Sequence, residues 1–146
     1  MRAREAVPAD VPRRVRAIRG ATTVAADEPA LVLAATRELL AAMLAGNGVA
    51  QEELISAVFT VTPDLTAAFP ARAARELGWT DVPLLCAGEI PVPDALPRCV
   101  RVLLHVHSAR ARSAIAHVYL HGATVLRPDL ARVAAAAEST LAAVAS

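Results

Sequence analysis

The 146-residue chain suits one compact domain, with 55% hydrophobic residues but only 3% aromatic ones. Its fifteen basic side chains, all arginine, nearly balance fourteen acidic ones for a net charge of +1, which argues against a dedicated nucleic-acid binder, where a basic footprint should dominate. Cys86 and Cys99 lack zinc-ligand spacing, no hydrophobic run looks long and unbroken enough to span a bilayer, and Met1 to Arg16 lacks the apolar core of a signal peptide, so a reduced, cytoplasmic protein with no nucleic-acid or membrane partner is expected.

Residues 1–13, arginine-rich and punctuated by proline, read as a disordered extension ahead of a domain over 14–130. Val15 to Val24 carries β-branched residues in loose alternation and predicts a first strand through Arg16-Ala17-Ile18-Arg19. Gly20 lets the backbone turn or come close to another element. Asp27 is an expected N-cap with Pro29 just inside, and Leu31, Leu33, Leu39, Leu40, Met43 and Leu44 give the helix its apolar face. Gly46-Asn47-Gly48 stops it. A helical turn at Gln51-Glu52-Glu53 leads into a strand over Leu54 to Val61, which Thr62-Pro63-Asp64-Leu65 ends. A second helix is expected from Ala67 to Leu77, closed by Gly78, and a short strand over Val82 to Cys86.

Pro91 to Asp94 is a loop. Cys99 to His107 is the clearest strand, with Val100, Val102, Leu104 and Val106 on one face and Arg101, Leu103, His105 and His107 on the other. A short helix at Ser113–Ala116 and a last strand at Val118–Leu126, interrupted by Gly122, are expected, then an Ala-rich tail over 131–146. Interspersed strands and helices without repeats give an α/β or α+β domain on one mixed sheet.

The familiar catalytic signatures are missing: no GxSxG elbow, P-loop, HExxH or dinucleotide fingerprint occurs. His105 and His107 share a strand face, but no third metal ligand has matching spacing, so no metal is expected. With no lysine, any bound anion must be held mainly by guanidinium forks. A thin, alanine-rich core also favours gaining burial by oligomerising. Several polar residues make little sense as packing. Arg19 precedes Gly20, Arg101 lies inside the strongest strand, and Glu89 closely follows Cys86. Tyr119 lies in an expected strand and Arg127 precedes Pro128. A structural salt bridge is the ordinary reading of any one of them. Together they suggest a polar pocket for an anionic, hydroxylated small molecule.

The order of the blocks goes further. Arg16-Ala17-Ile18-Arg19-Gly20-Ala21-Thr22-Thr23-Val24 resembles the opening strand of the monofunctional, trimeric AroH-type chorismate mutases. The resemblance continues through Thr62-Pro63-Asp64-Leu65, the stretch Ala68 to Trp79, and Val82-Pro83 with Cys86 and Glu89. Cys99-Val100-Arg101-Val102, His117-Val118-Tyr119-Leu120 and Leu126-Arg127-Pro128-Asp129-Leu130 complete it in the family's order. It implies an α+β chain with a mixed sheet and helices on one side, three copies forming a pseudo α/β-barrel with active sites at subunit interfaces.

The resemblance also implies the reaction, chorismate to prephenate on the route to phenylalanine and tyrosine, with no cofactor. By family role Arg101 would hydrogen-bond the ether oxygen, and Arg19 and Tyr119 the carboxylate-bearing side chain. Glu89 and Cys86 would meet the ring hydroxyl. Phe69, Ala71, Arg72, Arg75, Leu126 and Arg127 would come from the pocket wall, its mouth or the neighbouring subunit. The catalytic set is Arg101, Glu89 and Arg19, with Glu89 an acceptor rather than a proton shuttle and Cys86 a contact rather than a nucleophile. Cys99 is expected in the core. Two departures stand out: arginine at 72 where the family has lysine, and Leu85 where threonine is common. Two other readings are an imine deaminase of similar trimeric architecture and a non-catalytic sensor of an aromatic-pathway metabolite.

Overall fold

The computed structural model describes residues 11–127. Its elements are β1 (Arg14–Thr23), α1 (Pro29–Asn47), β2 (Leu54–Val61), α2 (Ala71–Glu76), β3 (Leu84–Gly88), β4 (Cys99–Ser108) and β5 (Val118–Tyr119), with 3-10 turns at Gln51–Glu53, Arg112–Ala114 and His121–Val125. The sheet order is β3-β2-β4-β1-β5. Central β4 runs antiparallel to β1 and β2, while the edge strands β3 and β5 run parallel to β2 and β1. The mixed α+β sheet expected from the sequence is therefore present. The first ten residues and those from 128 onward, including the expected Ala-rich tail and most of the expected extension, lie outside the described residues.

Ten consecutive pairs join β1 to β4, from Arg14–Ser108 to Thr23–Cys99. Side chains alternate across a strand, so this register sorts both strands at once. Ile18, Val102, Leu104 and Val106 face the helices and are buried. Leu39, Leu40 and Met43 of α1 and Ala71 and Ala74 of α2 join them and Phe59 of β2 in one cluster. Both helices thus cover the same face and leave the other bare. Gly20 sits where α1 crosses closest: a β-carbon there would lie 2.4 Å from the Met43 sulfur and 3.1 Å from a Leu39 methyl. Close approach, rather than a turn, is the use made of this glycine.

Asn47 does more than end a helix. The left-handed residue that stops α1 is Gly48, at φ 59°, with Gly46 inside the helix. The Asn47 side chain is buried; its amide donates to Met43 O (2.9 Å) and Ala116 O (2.8 Å), and its carbonyl accepts from Ala116 N (2.8 Å). A backbone segment that belongs to no strand is satisfied in this way.

Several boundaries differ from expectation, each for a local reason. Asp27 does not cap α1; Glu28 stands there without a side-chain bond. Asp27 instead accepts hydrogen bonds from Thr66 N (3.1 Å), Ala67 N (3.0 Å) and the Thr66 hydroxyl (2.9 Å). Those bonds, led by the one from the Thr66 backbone, hold its carboxyl below the usual range. The second helix covers Ala71–Glu76 rather than Ala67–Leu77, because the residue before Pro70 is disfavoured in helical geometry. β3 begins at Leu84 rather than Val82, since Pro83 has no N–H to give the ladder. The turn expected at Ser113–Ala116 falls at Arg112–Ala114.

The expected last strand, Val118–Leu126, keeps only two residues. His121, at φ 52°, turns the chain into a 3-10 helix, where Gly122 N donates to the Thr23 hydroxyl (3.0 Å). One expectation about membranes is also corrected. By length and composition alone α1, 19 residues long, could cross a bilayer. Its Val32, Leu33, Leu39, Leu40 and Met43 are buried against this fold instead. Arg37 pairs with Glu76 and Glu38 with His121 on its outer side.

Replacing Asn47 by alanine removes one acceptor and one donor from Ala116 at a buried site. The expected loss is about 2–3 kcal/mol of unfolding free energy, read as a lower urea midpoint at unchanged slope.

Candidate active site

The strand register builds a row of side chains across the bare face of the sheet. Arg101 of β4 pairs with Ala21 of β1 on one side and with Thr60 of β2 on the other. Tyr119 pairs with Ala21, and Ala87 with Thr60. The row therefore reads Ala87, Thr60, Arg101, Ala21, Tyr119. The next row contains Leu85, Val58, Leu103 and Arg19. Small Ala21 between Arg101 and Tyr119 leaves room above it. A cleft of about 560 Å³ opens here, lined among others by Arg19, Thr60, Arg101, Tyr119, Leu126 and Arg127.

Arg101 is held by charge. Its Nε lies 3.2 Å from Glu89 Oε1, and Glu89 also accepts a hydrogen bond from the Thr60 hydroxyl. Glu89 reaches this place because its N–H continues the β2–β3 pairing, donating to Val61 O (2.9 Å). The Nε of Arg101 is buried yet not aligned for a hydrogen bond, so charge rather than donor geometry joins the pair. Ala21 and Tyr119 of this row join Cys99 and Ala123 in a small apolar cluster, with Leu96 and Leu126 at its margin. Burial pushes the Cys99 thiol pKa up, against the opposing charge of Arg101. Cys99 is a core residue.

Thr62-Pro63-Asp64-Leu65 holds the start of β4. Thr62 Oγ1 accepts from Cys99 N (2.9 Å), and the Asp64 carboxylate accepts from Arg98 N (2.9 and 3.1 Å). Arg98, at φ 47°, donates from its Nε to Val24 O (2.9 Å). These bonds fix the strand two residues before Arg101. At the other edge His117 Nδ1 accepts the backbone N–H of Arg19 at 2.9 Å. Burial first, then the charges of Arg19 and Arg127, lower the His117 pKa.

The residues singled out in the sequence do not all meet. Arg19, Arg101, Tyr119, Leu126 and Arg127 share the cleft, with Glu89 paired to Arg101. Cys86 pairs with Phe59, which points to the helix side, and packs against the main core. Together with Phe69 it lines a second cleft of about 390 Å³ beside the β3 edge. Ala71 is buried in α2, whereas Arg72 and Arg75 are exposed on it, Arg72 paired with Glu76 at 3.2 Å. Leu85 is exposed on the bare face. Among the described residues no three His, Cys, Asp or Glu side chains are grouped to hold a metal.

Three contributors escaped the sequence reading: Thr60 as the partner of Glu89, Asn47 as the clamp on residue 116, and His117 as the acceptor for Arg19. Thr60 was visible as a polar residue inside an apolar strand. The other two contacts join residues 69 and 98 apart in sequence and carry no local signal.

The family model described as chorismate mutase type I matches residues 15–130. A chorismate mutase AroH of Thermus thermophilus is 54% identical over 117 residues, covering 80% of this chain and 96% of the relative. The AroH of Bacillus subtilis is 43% identical over the same length, covering 80% and 92%. A solved chorismate mutase from Clostridium thermocellum superposes with a TM-score of 0.74 at 50% identity, covering 75% of this chain and 97% of that one. The chain belongs to the type I chorismate mutases.

Proposed function

We propose that this chain rearranges chorismate to prephenate in the cleft around Arg101, and that a second copy of the chain completes the site. The observation that carries the reading is the convergence of Arg19, Arg101, Arg127 and Tyr119 on one cleft at the bare face, with Glu89 paired to Arg101. Chorismate carries two carboxylates, an ether oxygen and a ring hydroxyl, and a cluster of guanidiniums suits its charge. Family membership favours this reading over the imine deaminase.

The rearrangement is concerted and intramolecular. One C–O bond breaks while one C–C bond forms, and no proton, nucleophile or redox partner takes part. Two tasks are left for the protein. It holds the flexible side chain over the ring, replacing a conformational search by a prepared geometry. It also meets the negative charge that grows on the ether oxygen as the C–O bond stretches. A guanidinium fixed there binds the transition state more tightly than the substrate, and only that difference raises kcat. Arg101 is assigned this part. Arg19 and Tyr119 take the side-chain carboxylate, and Arg127 and Leu126 lie at the mouth. Glu89 orients Arg101 and accepts from the ring hydroxyl.

A homotrimer explains why Phe69, Ala71, Arg72, Arg75 and Cys86 stand apart from Arg101 in one chain. In the proposed assembly one protomer supplies the Arg101 cleft and its neighbour the Phe69–Cys86 cleft. The surface supports an interface. Phe69 is 71% exposed, Leu85 63% and Val15 56%, the last two on the bare sheet face with exposed Ala17. Apolar groups gathered on an uncovered sheet face mark a contact surface.

Purified protein should accelerate the loss of chorismate absorbance with excess chelator present. No acceleration would leave the non-catalytic sensor, and loss that stops on chelation would overturn the cofactor-free mechanism. Arg101→Ala should lower kcat by about 10²–10³. Arg101→Lys should also be poor, because a single ammonium cannot present the planar fork. Sedimentation should give about 46 kDa, three times the 15.2 kDa chain. Unfolding and refolding an equimolar mixture of Arg101→Ala and Phe69→Asp should restore about a quarter of wild-type activity if each site draws on two chains. An active monomer would break the shared-site model.

A further inference from the structure

We infer that His117 is a positioning residue for this reaction: its neutral imidazole holds the backbone of Arg19 and so aims that guanidinium into the cleft. The inference rests on the assignment of Arg19 to substrate binding proposed above.

β5 pairs with β1 at only two positions, Gly20–Val118 and Ala21–Tyr119. One step back, where Arg19 would meet residue 117, a side chain does the work of a backbone carbonyl. His117 Nδ1 accepts the Arg19 N–H at 2.9 Å. An accepting Nδ1 needs its lone pair, so the ring proton belongs on Nε2. The residue before it is fixed from the other direction, because Asn47 grips both the N–H and the carbonyl of Ala116 at 2.8 Å. His117 is therefore the link that ties α1, through Ala116, to the β1 residue bearing a cleft arginine. Two residues later the same segment delivers Tyr119 to the cleft.

The surroundings keep this ring neutral. Arg19 and Arg127 act on it from the cleft side. On its other side Arg16 of β1, His105 of β4 and Arg112 of the 3-10 turn line a cavity with it. No carboxylate is among these groups. Burial and the two arginine charges lower the pKa from its ordinary 6.5. The neutral ring, and the stabilising contact with it, is fully present above the ordinary value and is lost as pH falls through the lowered folded value. Protonation would set an Nδ1–H against the Arg19 N–H, donor facing donor, and add a positive charge beside two arginines. Both carboxylates of chorismate stay ionised in this range, so the substrate does not mask the effect.

The test is steady-state kinetics of the full chain against pH for the wild type, His117→Asn, His117→Leu and Arg19→Ala. Asparagine can offer a carbonyl oxygen near the place of Nδ1 but does not titrate. At pH 7.5 His117→Leu should raise KM about tenfold, the worth of one hydrogen bond near the upper end of its range. Its kcat should move by less than about threefold. His117→Asn should keep KM within about threefold of wild type. Wild-type kcat/KM should decline as pH falls through the lowered His117 value, and His117→Asn should abolish that decline. A leucine variant with wild-type KM, or an asparagine variant that keeps the acid decline, would overturn the inference while Arg19→Ala still raises KM. If the leucine variant does not fold, the asparagine pH profile decides alone. An Arg19→Ala variant with unchanged KM would instead remove the binding role of Arg19, and the inference with it.

Discussion

The pairing of β1 with β4 is the constraint on which the other features depend. Ten antiparallel pairs in unbroken register set which side chains face the helices and which face outward. A shift of one residue would turn every side chain of a strand to the opposite face. Arg101 and Arg19 would then enter an apolar core, where an unpaired guanidinium is prohibitive, and Val102 and Ile18 would be bare. The charge of the cleft and the hydrophobicity of the core enforce the same register from opposite sides. Gly20 tightens it further, because α1 can approach the sheet this closely only where one strand residue lacks a β-carbon.

That register explains how a charged cleft can exist on a thin scaffold. Arg101 stands in the central strand, paired on both sides, with Ala21 as the small neighbour that leaves space and Thr60 as the neighbour that steers Glu89. A carboxylate held by a hydroxyl and a backbone pairing can orient a guanidinium without neutralising all its donors. Such preparation matters for a reaction whose catalysis consists of electrostatics and geometry, since a group that must reorganise during the reaction contributes less. The far wall is built differently. β5 pairs with β1 at only two positions, and Asn47, His117 and Thr23 add side-chain bonds before and after it.

One face of this sheet has helices and the other has none. The helix side is a conventional core, centred on Ile18, Phe59, Leu104, Leu39 and Met43. The bare side mixes arginine and histidine with Val15, Ala17, Val58, Leu85 and Leu103, a composition poorly suited to permanent exposure. The separation of the Phe69–Cys86 cleft from the Arg101 cleft has the same origin. Cys86 lies one residue out of phase with Leu85 and Ala87, so it turns toward the helices while they face outward.

Neighbouring residues were enough to specify the local content. Alternation in Cys99–His107 placed Arg101 opposite the valines, because a period of two is written directly into neighbouring residues. The order of its blocks pointed to the family. Proline and glycine positions told where elements change, although not where they end: Pro70 shortened the second helix and Pro83 delayed β3 by local sterics that periodicity does not weigh. Contacts between distant elements set the rest. Asp27 was a helix cap by local rule and became the anchor of Thr66 and Ala67; the segment after Tyr119 was a strand by composition and became a 3-10 turn. Glu89 meets Arg101, His117 meets Arg19, and Cys86 turns away, through pairings between distant strands. Such contacts follow from register and sheet order, which no window of neighbouring residues contains.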